Sequence, residues 1–132
     1  TDFSGPLSAW HKLKAHSETY LRESHLYGRA LNWTIVCPGR LLDDPGQPGT
    51  GLVKVSNIHG EDDLKASLTD AERAAAVKTL PGSHDGKMER LCCSRDNVAA
   101  VLAGVLEHPT TIGKTLTVVD GVLPVSAALK NL

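Results

Sequence analysis

A chain of 132 residues carrying 14 Lys and Arg against 15 Asp and Glu has a net charge of −1 and a pI near 6.5. That balance gives no electrostatic case for nucleic acid or an anionic membrane surface. The length suits one domain, 1–132, able to bury its own core, and no apolar run approaches the ~20 residues that cross a bilayer.

In chain order, the opening Thr1-Asp2-Phe3-Ser4-Gly5-Pro6 reads as the middle of a loop, with no secretory hydrophobic segment. From about Ser8 to Leu26 the pattern is helical, with Trp10, Leu13, Tyr20 and Leu21 near one face and Glu18–Arg22 as an i,i+4 ion pair. Trp33 to Cys37 is a continuous β-branched and aromatic run, ended by Pro38-Gly39. Such a run suits a parallel-sheet strand covered on both faces. Residues 43–51 read as a Pro/Gly-rich loop, and Leu52 to Val55 as a short strand. Thr69-Asp70-Ala71-Glu72 is a capping-box pattern that predicts a helix running to Leu80 and stopped by Pro81-Gly82. Val98, Val101, Leu102, Val105 and Leu106 repeat at helical spacing, and His108-Pro109 ends that helix. Thr115 to Val119 predicts a strand closed by Asp120-Gly121, and Pro124 is placed to start a short terminal helix. The alternation of helix and strand favours an α/β layered fold.

Several chemistries find no support. Cysteines at 37, 92 and 93 are odd in number, and two are adjacent, so neither a disulfide framework nor a C-x-x-C zinc site is expected. A reducing, cytoplasmic compartment follows as the default. Six histidines show no H-E-x-x-H and no i,i+4 pair, so no metal ligand is expected, and no G-x-S-x-G elbow occurs. Gly46-x-x-Gly49-x-Gly51 leads towards a strand rather than a helix. Gly113-Lys114-Thr115 has His108 where the first glycine of a phosphate loop belongs. Both read as turns.

The order of three pieces resembles an atypical short-chain dehydrogenase/reductase of the NmrA-like NAD(P)H-binding family. They are the helix bearing Trp10-x-x-x-Lys14 with Glu18, the strand Asn32-Trp33-Thr34-Ile35-Val36-Cys37-Pro38-Gly39, and Arg95-Asp96-Asn97-Val98-Ala99 opening a later helix. The likeness runs from roughly Trp10 to Leu132 and is weakest between Asn57 and Glu89, where no residue reads as a specificity determinant. It implies a partial doubly wound, Rossmann-type domain lacking its N-terminal phosphate-binding half, because no strand leads into a Gly-rich turn ahead of it.

The resemblance also implies NAD(P)H as the family's cofactor. Lys14 would hold the nicotinamide ribose, Pro38 and Gly39 would lie at the nicotinamide, and Arg40 and Leu41 would face the substrate. The family's general acid is a tyrosine four residues before the lysine; that place is taken by Trp10, whose indole cannot deliver a proton. Tyr20 and Tyr27 are out of register for the role. No catalytic residue is therefore assigned. Cys37 stands where the family has arginine, and Arg40 is the nearest replacement charge. The functional expectation is the nicotinamide-side part of an NAD(P)H-dependent oxidoreductase, inactive alone. Dinucleotide and small-molecule substrate would be its partners once a missing half completes it, with no nucleic acid and no membrane. Two alternatives stay open: a non-catalytic NAD(P)H-sensing or interaction module, and a self-sufficient small α/β domain. An unpaired strand 33–37 predicts self-association through the exposed sheet edge.

Overall fold

The β-branched run near the C-terminus forms β6 (Lys114–Asp120), the strand on which the rest of the molecule is assembled. In the computed structural model, which describes residues 8–28, 31–42, 49–81 and 88–132, β6 has a parallel neighbour on one side. This is β1 (Thr34–Pro38), in register from Thr34↔Lys114 to Pro38↔Val118. On its other side β3 (Leu52–Ser56) runs antiparallel, and the two-residue β7 (Leu123–Pro124) extends the sheet to the order β1-β6-β3-β7. Period-2 alternation sends Leu116 and Val118 to one face. There they are buried with Val53 and Val55 against α4 (Arg95–Val105) and α5 (Val125–Lys130), through Val101, Ala128 and Leu129. Thr115, Thr117 and Val119 occupy the opposite face.

Beyond Pro38 the chain changes sheets. Gly39 separates β1 from β2 (Arg40–Leu41), which pairs in parallel with β5 (Met88–Cys93). An antiparallel β4 (Val77–Leu80) completes the order β2-β5-β4. Gly39 N–H still donates to Val118 of the first sheet at 2.8 Å, while Leu42 N–H donates to Cys93 of the second at 3.2 Å. Between the sheets, α2 (Glu61–Ser67) and α3 (Asp70–Ala76) bury Leu64, Leu68 and Ala76 against Leu91 and Val119.

β1, β3, β6 and α5 stand close to their expected places, while β2, β5, β7 and α2 are not foreseen by the sequence pattern, and three expectations need correction. The helix expected to reach Leu80 stops at Ala76. Val77 turns extended (φ −84°, ψ 124°), and Val77 to Leu80 pair with Leu91 to Met88. A four-residue stretch with a β-branched start takes the sheet partner that tertiary structure offers over its weak helical preference. Second, β1 is not covered on both faces: only Ile35 is buried, and the strand lies at the sheet edge. Third, Leu102 and Leu106 of the expected apolar stripe are exposed, Leu106 at 86%. The buried side of α4 is centred on Asn97, Val101 and Gly104. A Cβ on Gly104 would come within 2.9 Å of Leu129 and Val125, so α5 presses on the stripe where the sequence has no side chain to show.

The capping box is present as read. Thr69 Oγ1 accepts from Glu72 N–H at 3.2 Å, and Glu72 Oε1 accepts from Thr69 N–H at 2.9 Å. Glu72 also binds Lys54 of β3 at 3.0 Å, fastening α3 to the first sheet. Burial raises the Glu72 carboxyl, but the Thr69 N–H and the Lys54 ammonium outweigh it and hold it below its ordinary 4.5. A carboxylate lowered on folding stabilises the fold fully above its unfolded value, and that stabilisation is lost as pH falls through the folded value. Thr69→Ala should therefore cost about 1 kcal/mol in a urea midpoint experiment at pH 7. Glu72→Gln should show a smaller stability loss than the parent as the solution is acidified below 4.5.

Helix α1 (Ser8–Arg22) is followed by a 3-10 turn, Ser24–Tyr27, ended by Gly28 at φ 75°. The Glu18–Arg22 pair forms at 3.3 Å, and Arg22 also reaches Thr115 Oγ1 at 3.4 Å. Trp10 and Leu13 of its apolar face are 54% and 68% exposed. Gly51 (φ 74°) and Gly113 (φ 78°) lead directly into strands, as turns rather than phosphate loops; residues 43–48, with Gly46, lie outside the described residues. Among the described residues no helix is long and apolar enough to cross a membrane, and no group of His, Cys, Asp and Glu could hold a metal.

Candidate functional site

At the carboxyl end of the parallel pair β1 and β6 lies a cavity of about 210 Å³. In open α/β sheets this end of the strands is where ligands bind, because successive loops diverge there and leave a crevice. The first sheet supplies Cys37, Pro38, Thr117 and Val119. The sheet-changing segment supplies Gly39 and Arg40, β5 supplies Arg90 and Leu91, and the start of α2 supplies His59, Gly60, Glu61 and Leu64.

The inner wall is apolar, since Leu64, Leu91 and Val119 are buried. Polar groups gather nearer solvent. His59 Nδ1 lies 3.1 Å from Thr117 Oγ1. Arg90 Nε donates to Glu61 Oε1 at 3.2 Å, and the same oxygen accepts the Leu91 N–H at 3.1 Å. Glu61 thereby ties α2 to β5 across the cavity lining. Burial pushes the Cys37 thiol up, and Glu18 of α1 adds to this against the opposing charges of Lys14 and Arg22. Cys93, behind the cavity in the core, is pushed up to about 12 by burial and by Asp120. Cys92 is raised in the same sense, burial first. None of the three thiols is set up as a thiolate nucleophile near neutrality.

The structure brings together some of the residues singled out from the sequence. Pro38, Gly39 and Arg40 line the cavity. Leu41 does not; it pairs with Cys93 in the second sheet, half-buried. Lys14 lies outside the lining and stacks its Nζ over the Trp10 ring, 4.8 Å from the centroid. Its charge is nonetheless felt at Cys37, which places α1 along the Cys37 side of the sheet. Gly39 is needed for a reason the turn alone does not reveal. A Cβ there would meet Leu91 O at 2.7 Å and Val119 Cγ1 at 2.9 Å. Its missing side chain lets two sheets meet, and so positions the cavity floor.

Sequence reasoning passed over His59, Glu61, Leu64, Arg90 and Thr117. The first three fall in the stretch where no residue reads as a specificity determinant, and Arg90 is an ordinary charge on a strand. The pairing of His59 with Thr117 spans 58 residues, so no local spacing announces it.

Behind the site, a buried network holds the start of β3. Asn97 Nδ2 donates to Asp120 Oδ1 at 2.8 Å and to Leu52 O at 3.2 Å, and Asn97 Oδ1 accepts from Gly51 N–H at 2.9 Å. Ser94 caps α4 by accepting from Asn97 N–H, and its own N–H donates to Asp120 at 3.0 Å. Every polar group of this buried amide is matched, the condition under which such a network rigidifies a fold.

No protein-family model matches the chain, and no curated protein does. Two solved structures do. The oxidoreductase ylbE from Lactococcus lactis superposes with a TM-score of 0.60 at 17% identity, over 96% of this chain and 41% of its own. A candidate NAD-dependent epimerase/dehydratase from Bacillus halodurans gives a TM-score of 0.50 at 25% identity, over 83% of this chain and 37% of its own. The chain thus spans about two fifths of the length of either. Its fold is mixed α/β with parallel strands, matching part of the Rossmann-like architecture of these larger proteins.

Proposed function

We propose that this chain forms the nicotinamide-side part of an NAD(P)H-dependent oxidoreductase site of the atypical short-chain dehydrogenase type. One observation carries the reading: the cavity sits at the carboxyl ends of the parallel strands, closed by the Pro38-Gly39 segment. At about 210 Å³ it is smaller than the roughly 300–1,000 Å³ of sites for drug-sized ligands. It cannot hold a whole dinucleotide; it is the size of one small reacting partner, with the nicotinamide ring lying against its Cys37-Pro38-Gly39 edge. Pro38, Gly39 and Cys37 would border the ring, and Arg40 would face the reacting partner. Lys14 would reach the ribose after leaving the Trp10 face. Nicotinamide, when bound, supplies the hydride; the chain's residues bind, orient and keep out water. Leu41 has no place in this version of the site.

A non-catalytic NAD(P)H-sensing module is favoured by one specific observation. Trp10 stands at the position of the proton donor and its ring is covered by the Lys14 ammonium, so neither group is poised to protonate a substrate.

A titration of the purified 132 residues with NADPH and NADH, followed by cofactor fluorescence, tests the reading. Saturable binding in the micromolar range, weakened by Lys14→Ala, is expected. No binding at millimolar cofactor would overturn it for this chain. With binding established, hydride transfer to quinone or carbonyl acceptors separates the reductase from the sensor.

A further inference from the structure

The cavity has two unlike halves, and the contrast between them restricts what enters. The inner half is apolar, built from Leu64, Leu91 and Val119. The outer half carries two guanidiniums and one carboxylate. Arg90 is matched by Glu61 at 3.2 Å, while Arg40 has no ion-pair partner among the described residues and is exposed to solvent. Among the described residues, one positive charge at the rim is therefore uncompensated. In the same lining, His59 Nδ1 faces the Thr117 hydroxyl at 3.1 Å. With that hydroxyl donating to Nδ1, the tautomer carries its proton on Nε2, leaving a second donor at the mouth.

We propose that this cavity takes a small organic carboxylate, its apolar body against Leu64, Leu91 and Val119 and its charge held by the Arg40 guanidinium and His59 Nε2–H. The assignment rests on reading the cavity as the reacting end of the site, and it names the class of molecule that would meet the cofactor there. A single cation unmatched among the described residues suits a monoanion better than a dianionic phosphate, and the planar guanidinium fork matches the two oxygens of a carboxylate. The apolar inner half gives a bare inorganic anion nothing to bury. The volume restricts the body to one ring or a short branched chain.

The test is a calorimetric titration of the 132-residue chain with benzoate, benzamide and inorganic phosphate, repeated on Arg40→Gln. Two-dimensional NMR of the His59 ring and of the Leu64, Leu91 and Val119 methyls locates the binding. Benzoate should bind at least about ten-fold more tightly than its neutral isostere benzamide, as a charge-assisted pair implies. It should shift those resonances, and it should lose its preference in Arg40→Gln while benzamide is unaffected. Benzamide binding as tightly as benzoate, phosphate binding most tightly, or an unaltered preference in Arg40→Gln would each overturn the proposal. Arg40 is exposed, so the variant should fold; if it does not, the benzoate-to-benzamide ratio of the parent still decides. The outcome is separable from the cofactor reading. Benzoate binding without NADPH binding keeps the carboxylate site and removes the dinucleotide, and the reverse result does the opposite.

Discussion

Gly39→Ala should destabilise the protein by about 2–3 kcal/mol and abolish ligand binding at the cavity, although it adds a single methyl group. The Cβ would stand 2.7 Å from the Leu91 carbonyl oxygen and 2.9 Å from Val119 Cγ1. The first neighbour is backbone of β5, fixed by its pairing with β2 and β4, and cannot rotate away. The second is buried in the cluster of Leu64, Leu68 and Ala76. Relief must come from moving Gly39 itself, which breaks its 2.8 Å hydrogen bond to Val118 and parts the two sheets where the cavity is closed. Equilibrium denaturation gives the energy, and the benzoate and NADPH titrations give the site. A variant as stable as the parent, with binding intact, would show that the sheets slide past each other freely. As a control, Gly28→Ala should cost less. It carries only the penalty of a residue at φ 75° and has open space around its missing side chain.

This residue also shows how far the sequence could be read. Pro38-Gly39 was visible as the end of a strand because proline and glycine punctuate any chain in the same local way. That β1 and β6 run parallel, and that the chain changes sheets at Gly39, depends on partners 80 residues apart, which no local pattern encodes. The capping box of α3 was legible for the same reason that Pro38-Gly39 was: both its partners lie within four residues. The extent of α3 was not, because β5 recruits Val77 to Leu80 from outside. The site divides in the same manner. Pro38, Gly39 and Arg40 were singled out by the family resemblance, and they line the cavity. His59, Glu61 and Thr117 became visible only once the fold set them around one cavity. Lys14 was placed by resemblance, and the structure supplies a competing partner in Trp10.

The isolated 132-residue chain is expected to self-associate, and its first helix supplies the physical reason. Trp10 and Leu13 are more than half exposed, and Leu26 and Leu31, after the helix in sequence, are 67% and 48% exposed. Beside this helix β1 is an edge strand, and strand edges and exposed apolar side chains are where proteins associate. The structural relatives are more than twice as long as the part that this chain matches. Further α/β layers could therefore cover such a face; a second copy is the cover within reach of the purified chain. Burying one such side chain is worth about 1.5–3 kcal/mol, so Leu13→Glu should raise the dissociation constant at least about ten-fold. Leu106→Glu, at the exposed C-cap of α4 and away from α1, should leave it unchanged. Sedimentation velocity over a hundred-fold concentration range distinguishes the outcomes. A monomer at every concentration with sharp, cooperative unfolding would mean that α1 and the β1 edge are tolerated in water as they stand. Weak dinucleotide binding would then have to be explained by the site alone, whereas an oligomer lost together with binding in Leu13→Glu would mean that a second copy completes the site.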